Sequence, residues 1–245
     1  MRLYCSPGDS DDALRSSSKY ESVSKYAETC NQSYSRFHTS MYRRMFRMSP
    51  AEIAELKTQV TKLLAQGIIR PFHSPYGAPF LFFPKKTEVR FCVDFRALNK
   101  LTIKDKYPIP RIDDILDAAR GAQCFSSLDL TQSYYPIGIE ESDIPKTAFT
   151  TPLGHFEWTV LVMGLTNSPS SFSRVIQSIF RGYDFILTYL DDGLILSKSP
   201  EEHLRHLRTV FELLRKYRLF AKGSKCQFFK KSIHFLGHIC GGHSA

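Results

Sequence analysis

Two apolar runs in this chain carry carboxylates where a strand interior tolerates them poorly. The first, CFSSLDL at 124–130, alternates so that Leu128 and Leu130 share one face and Asp129 takes the other. The second, FILTYLDDGLILSKS at 185–199, is strand-forming on both sides of Asp191, Asp192 and Gly193, the pattern of a hairpin. An unpaired charge between leucines is expensive, and adjacent carboxylates repel. Two readings follow. The Asp-Asp-Gly segment is an ordinary turn, since these residues tolerate turn angles, and Asp129 sits in an ion pair. Alternatively, Asp129 joins the hairpin pair around cations. Oxygen-rich sites suit magnesium, which keeps places for water and phosphate. Two such ions about 3.5–4 Å apart activate an attacking oxygen and stabilise a leaving one, which is the chemistry of phosphoryl transfer. By residue type alone the turn reading is the stronger.

The surrounding pattern is α+β with a largely antiparallel sheet, because strands and helices alternate without βαβ regularity or an internal repeat. Ser49, Pro50 and Glu52 open a helix with a capping box, an apolar stripe at Ile53, Leu56, Val60, Leu63 and Leu64, and a stop at Gly67. Strand-like runs at 79–83 and 89–95 flank a basic turn at 85–88. A short helix follows Pro110, with Ile112, Ile115, Leu116 and Ala119 inward. HFEWTVLVMG reads as a strand. A further helix starts at Ser168 and Pro169, with Phe172, Val175, Ile176, Ile179 and Phe180 inward and Gly182 as stop. The last helix starts at Ser199 and Pro200, with Glu202 closing the box and Leu204, Leu207, Phe211 and Leu214 as the stripe.

The net charge of +9 is uneven: residues 200–245 carry 9 Lys/Arg against 3 Asp/Glu, which suggests a polyanion partner. Residues 1–40 hold ten serines and no structural period, so 1–47 reads as disordered or foreign to the domain. Six cysteines form no CxxC pair. Cys226, His234, His238 and Cys240 make a set with zinc-like residue types, but their apolar neighbours favour core positions. No run approaches the roughly 18 apolar residues of a membrane span, and the N-terminus has no signal-peptide core. A reducing, intracellular setting fits, without an address for cytoplasm or nucleus.

Six blocks in order, IIRPFHSPYGAPFLFFPKK, VRFCVDFRALNKLTIKDKYPIPRIDDILD, FSSLDL, DIPKTAFTTPLGHFEWTVLVMGLTNSPSSF, YLDDGLILSKS and SKCQFFKKSIHFLGHI, resemble the reverse transcriptase of gypsy-type LTR retrotransposons over about four-fifths of the chain. The resemblance implies the fingers and palm of a right-hand polymerase, the palm an antiparallel, ferredoxin-like sheet backed by helices. Fingers would be mainly 48–120 and 142–157, palm 121–141 and 158–241, with 242–245 a tail and no thumb. It implies RNA-directed DNA synthesis, with Asp129, Asp191 and Asp192 as catalytic residues that hold two Mg2+ ions, or Mn2+ as a substitute. Asp129 and Asp191 would hold them most directly. Lys85, Lys86, Arg90, Leu130, Thr131, Tyr134 and Met163 would bind the deoxynucleotide, Tyr134 excluding a 2′-hydroxyl. Arg96, Tyr189, Lys222, Lys225, Phe235, Leu236 and Gly237 would contact an RNA or DNA template and its primer. Asp94 would pair with Arg96.

The copy departs from the family pattern in three places. The fingertip KKTEVRF is short. LTQSYYPIGI has Ser133, Pro136 and Gly138 where the family commonly has a glycine, then His-Gln and a basic residue. Val162 stands where a proline is usual. With the missing thumb, these departures support an alternative: a degenerate retroelement fragment that is inert or only binds nucleic acid. A palm-like cyclase or nuclease gains no support, because the fingers blocks would have no role in it.

Overall fold

A computed structural model of the chain describes residues 47–85, 88–131 and 134–241, with the side chains of 83–85, 88–90 and 131 left undescribed. The serine-rich segment up to residue 46, Lys86, Ser133 and the tail 242–245 lie outside the described residues. In chain order the elements are α1 (Pro50–Ala65), β1 (Ile69–Pro71), β2 (Ala78–Lys85), β3 (Glu88–Val93), α2 (Arg96–Leu101) and α3 (Ile112–Ala118). Then come β4 (Cys124–Thr131), β5 (Phe149–Thr151), β6 (Gly154–Trp158), α4 (Ser168–Ile179), β7 (Ile186–Tyr189) and β8 (Asp192–Ser197). The last are α5 (Pro200–Lys216), β9 (Phe220–Ala221), β10 (Gln227–Lys230), β11 (Ser232–Phe235) and β12 (His238–Gly241). The described residues group into two units: one of those within 27–105 and 137–168, the other of those within 106–136 and 169–241.

The unit of 27–105 and 137–168 is built on a mixed sheet ordered β1-β6-β5-β2-β3, its single parallel pair being β2 with β5. Aromatic rings fill its core. Phe80 stacks on Phe91 at 5.5 Å, and Phe149 tilts against Trp158 at 5.5 Å. The capping box of α1 forms as its sequence dictates. Ser49 N–H donates to Glu52 Oε2 at 2.7 Å, and Glu52 N–H donates to Ser49 Oγ at 3.3 Å. The chain also forms β1, β5 and α2, which local pattern does not announce. Two three-residue strands are too short to show a period, and α2 has no side-chain cap. Asp94 and Arg96 form the expected ion pair, Nη2 to Oδ2 at 2.7 Å and Nε to Oδ1 at 2.8 Å.

The unit of 106–136 and 169–241 is built on an antiparallel sheet ordered β10-β4-β8-β7, with β9 also pairing β4. On one face Phe125, Leu194 and Leu196 meet Ile115 and Ala119 at α3, and Ile233, Phe235 and Cys240 from the β11–β12 hairpin. The other face is covered by α5. Here the stripe differs from the expected one: His203, Leu207, Val210 and Leu214 point inward, while Leu204 is 51% exposed. The capping box also shifts. Ser199 Oγ accepts the Glu202 N–H as expected, but Glu202 Oε2 accepts from Lys198 N–H at 2.7 Å. In α4 the Ser168 hydroxyl donates to the Val162 carbonyl at 2.8 Å.

Candidate active site

The β7–β8 hairpin closes on Tyr189 opposite Asp192, so its loop is two residues, Leu190 and Asp191. Leu190 holds a φ of +50° and Asp191 does not join it in that region. Positive φ at the first loop position alone is the II′ pattern, whose twist suits a hairpin and which normally wants glycine. The turn is therefore not Asp-Asp-Gly, as residue types suggested. Gly193 lies inside β8 opposite Leu128, where a Cβ would meet the Leu128 Cβ at an ordinary 3.7 Å. A leucine in the left-handed region costs about 1–2 kcal/mol, and such strain collects at functional sites.

That loop and the end of β4 form an acid edge. Asp129 and Asp192 are direct cross-strand partners in the β4–β8 ladder. Asp191 is tied to the same place by its carbonyl, which accepts the Leu130 N–H at 2.8 Å. The Leu130 amide, expected to assist a triphosphate, is thus engaged within the sheet. Asp129 is held from the other side. Its carbonyl accepts the Lys222 N–H at 2.8 Å, and Lys225 Nζ donates to its Oδ2 at 2.6 Å. Burial, and then the charge of Asp129, pushes the Asp192 carboxyl above its usual pKa, and Lys225 pulls it back. Tyr134 is buried against Phe172, ring centroids 5.1 Å apart. Burial first, and then the charge of Asp191, pushes its phenol up to about 12.

An open cleft of about 290 Å³ runs from this edge to the tip of the β11–β12 hairpin, lined by Asp129, Asp192, Lys225, His234, Phe235 and Leu236. Phe235 is 4% exposed and anchors the tip to the core. Phe235 pairs with His238, so Leu236 and Gly237 form the loop, at φ +51° and +83°. Positive φ at both positions is the I′ class. Tyr189 and Leu236 pack on the same apolar cluster. The acid pair and the FLGHI hairpin, distant in sequence, therefore line one cleft.

Lys222, like Lys225, is exposed. Thr131 is placed by its backbone, opposite Phe220. Lys85, Arg90, Arg96 and Met163 belong to the other unit, where the β2–β3 register sets Lys85 opposite Glu88 and Arg90 opposite Phe83, and Met163 is 62% exposed. The zinc-type residues do not gather: Cys240 is buried in the core, while Cys226 Sγ turns to the Lys222 carbonyl at 3.3 Å. Among the described residues no group of three or more His, Cys, Asp or Glu side chains is arranged to hold a metal ion, the three aspartates included. What the acid edge holds is a pair of hard oxygen donors in register, with an ammonium group on one of them. The sequence reading missed His203, which is fully buried beneath this sheet. Its signal was the seven-residue spacing His203–Val210, which falls on one helix face.

A strained hairpin of an antiparallel sheet thus faces a carboxylate on the neighbouring strand, within an α+β fold. Residues 83–240 match the family described as Reverse transcriptase (RNA-dependent DNA polymerase), and the chain belongs to that family. Among its relatives, the retrovirus-related Pol polyprotein of transposon 297 from Drosophila melanogaster is 38% identical over 210 residues, 82% of this chain. The Pol polyprotein of transposon opus from the same fly is 40% identical over 193 residues, 76% of this chain. The enzymatic polyprotein of cauliflower mosaic virus (strain CM-1841) is 35% identical over 195 residues, 77% of this chain. The chain spans 20%, 19% and 29% of those polyproteins. In fold it is similar to the foamy viral protease-reverse transcriptase in complex with RNA/DNA hybrid, with a TM-score of 0.78 and 23% identity over 86% of this chain and 28% of that one. The foamy viral protease-reverse transcriptase dRH in complex with double-stranded DNA also gives 0.78, over 86% of this chain and 37% of that one. The fold is thus the α+β fingers-and-palm fold. No helix among the described residues is long and apolar enough to cross a membrane.

Proposed function

We propose that the acid edge is the nucleotidyl-transfer site of an RNA-directed DNA polymerase, with Asp129, Asp191 and Asp192 as its catalytic residues. The observation that carries this reading is the cross-strand pairing of Asp129 with Asp192, with Asp191 in the adjoining strained loop. Paired carboxylates facing an open cleft fit hard divalent ions. Asp129, Asp191 and Asp192 would hold two Mg2+ ions, or Mn2+ in their place. Bound there, the metals would supply charge neutralisation for the attacking 3′-hydroxyl and the leaving pyrophosphate.

This chain's own groups do the positioning. Tyr134 would pack below the deoxyribose, and its bulk would disfavour a 2′-hydroxyl. The hairpin tip at Phe235, Leu236 and Gly237, with Tyr189, would bear on the primer end, and the exposed Lys222 and Lys225 on phosphates. Lys85, Lys86 and Arg90, from the basic β2–β3 hairpin, would hold the triphosphate, Met163 would line the nucleotide pocket, and Arg96 would lie by the template. The solved relative binds an RNA/DNA hybrid, which supports the same partner class here. We assign the unit of 106–136 and 169–241 to the palm and the other unit to the fingers.

A second reading is favoured by one contact. Lys225 already neutralises Asp129, as in a chain that binds nucleic acid without synthesis. Primer extension on poly(rA)·oligo(dT) with Mg2+ or Mn2+ separates the two. The polymerase reading expects incorporation that Asp191→Asn and Asp129→Asn each reduce at least about 100-fold, as for loss of a group central to transition-state charge. Incorporation no greater than in the Asn variants, with duplex binding retained, would establish the binding-only reading.

A further inference from the structure

His203, on the first turn of α5, is fully buried, and each of its ring nitrogens meets a buried serine. Nε2 lies 2.7 Å from Ser126 Oγ on β4, and Nδ1 lies 2.7 Å from Ser197 Oγ on β8. Ser126 Oγ also accepts the Phe229 N–H at 3.1 Å, at the bulge where β10 shifts register against β4. The Phe229 ring stands edge-on to the imidazole at 4.9 Å. Ser197 Oγ in turn lies 2.9 Å from His206 Nδ1. One side chain thus joins α5 to three neighbouring strands, on the sheet face opposite Asp129 and Asp192.

The strand pair has a physical need for such a fastening. Asp129 faces Asp192, and like charges directly opposite push a pair apart. The next pair along is Leu128 with Gly193, which offers no side chain to grip. A slip of one residue would turn every side chain to the wrong face. The ladder pairs Ser126 with Ile195 and Cys124 with Ser197, so Ser126 and Ser197 are diagonal neighbours. A bridge across that diagonal changes length if the strands slide in either direction, and hydrogen bonds lose strength steeply when their geometry is disturbed. A buried polar cluster whose members are paired singles out one arrangement in a way that apolar packing does not.

We propose that His203 is a positioning residue: by bridging Ser126 and Ser197 it holds the β4–β8 register that sets Asp129 opposite Asp192. Its consequence for metal affinity rests on the reading of the acid edge as a metal site; its consequence for register does not.

The test uses the full chain carrying His203→Leu, with Ser197→Ala as a milder variant that keeps the imidazole. Mn2+ affinity by electron paramagnetic resonance, amide hydrogen exchange and thermal melting are measured on each. His203→Leu is expected to weaken Mn2+ binding roughly tenfold, the effect of losing a group that orients metal ligands from behind. It should also speed exchange of the Leu130 amide, which is bonded to the Asp191 carbonyl. Ser197→Ala should do the same to a smaller degree. The double variant Ser197→Ala/His203→Leu removes both partners of one bond and recovers stability, yet should still bind Mn2+ weakly. Parent-like Mn2+ affinity and Leu130 exchange in a folded variant overturns the proposal. So does an affinity that returns together with stability in the double variant, since the role is then stability alone. If the parent binds no Mn2+, the metal reading fails, and unchanged Leu130 exchange in the variants would still overturn the positioning role.

Discussion

Asp192 faces Asp129 in a place where burial disfavours its charge, and its carboxyl sits above the ordinary pKa of 3.8. The folded chain therefore holds that proton more tightly than the unfolded chain. The associated stability is present below pH 3.8 and is lost as pH rises through the raised folded value. Asp192→Asn should melt higher than the parent at pH 7, on the order of 2 °C. A like-charge cross-strand pair costs up to about 1 kcal/mol, and a chain of this size moves about 2–4 °C per kcal/mol. Calorimetry well below pH 3.8, where Asp192 is protonated in the folded and the unfolded chain alike, should find the gap closed. Glycines separate as sharply. At Gly241, φ +83°, a Cβ would lie 2.4 Å from the Lys231 carbonyl oxygen and 2.6 Å from Phe125 Cε2. Gly241→Ala should cost about 2–3 kcal/mol in urea unfolding, whereas Gly193→Ala, whose Cβ has ordinary room, should cost less than about 1 kcal/mol.

At the scale of elements, α5 shows where local pattern stops. Its start was legible, because Ser199 and Pro200 are capping chemistry that needs no tertiary partner. Its buried face was not. Counting only apolar residues assigned Leu204 inward and left His203 out, whereas the helix turns His203 to the core and Leu204 to solvent. A histidine reads as polar until two serines on separate strands satisfy it, and one of them, Ser126, lies 77 residues away in sequence. Burial first, and then His206, holds His203 below its usual 6.5, while Glu202 opposes them. The unfolded chain binds that proton more readily, so His203 contributes stability that is present above pH 6.5 and lost as pH falls through the lowered folded value. Urea unfolding should find the parent less stable at pH 5.5 than at pH 7.5, and His203→Leu should flatten that difference.

At the scale of the whole molecule, the charge excess concentrates at the C-terminal end, where Lys222, Lys225, Lys230 and Lys231 are all exposed. If these side chains neutralise phosphates of a primer–template duplex, affinity should fall steeply with salt. Lys222→Ala should weaken binding about equally on any sequence and flatten the log–log salt slope by about 0.9. A fluorescence-anisotropy titration between 50 and 200 mM salt, a range in which such contacts dominate, measures both. An unchanged slope would remove Lys222 from the phosphate contacts.

The sequence by itself determined the capping box of α1 and the Ser199 cap of α5, the alternation that turns Asp129 away from Leu128 and Leu130, and, through the ordered motif blocks, the family. These are local or linear properties, set by a residue and its near neighbours. Only the tertiary structure decided that the hairpin turns on Leu190 instead of Asp-Asp-Gly, that Asp129 faces Asp192 with Lys225 upon it, and that His203 fastens the strands beneath them. The last two depend on partners far apart in the chain, 96 residues apart for Lys225 and Asp129 and 77 for His203 and Ser126. Local propensity carries no information about such pairs, because the strand register that brings them together is set by the packing of the whole sheet.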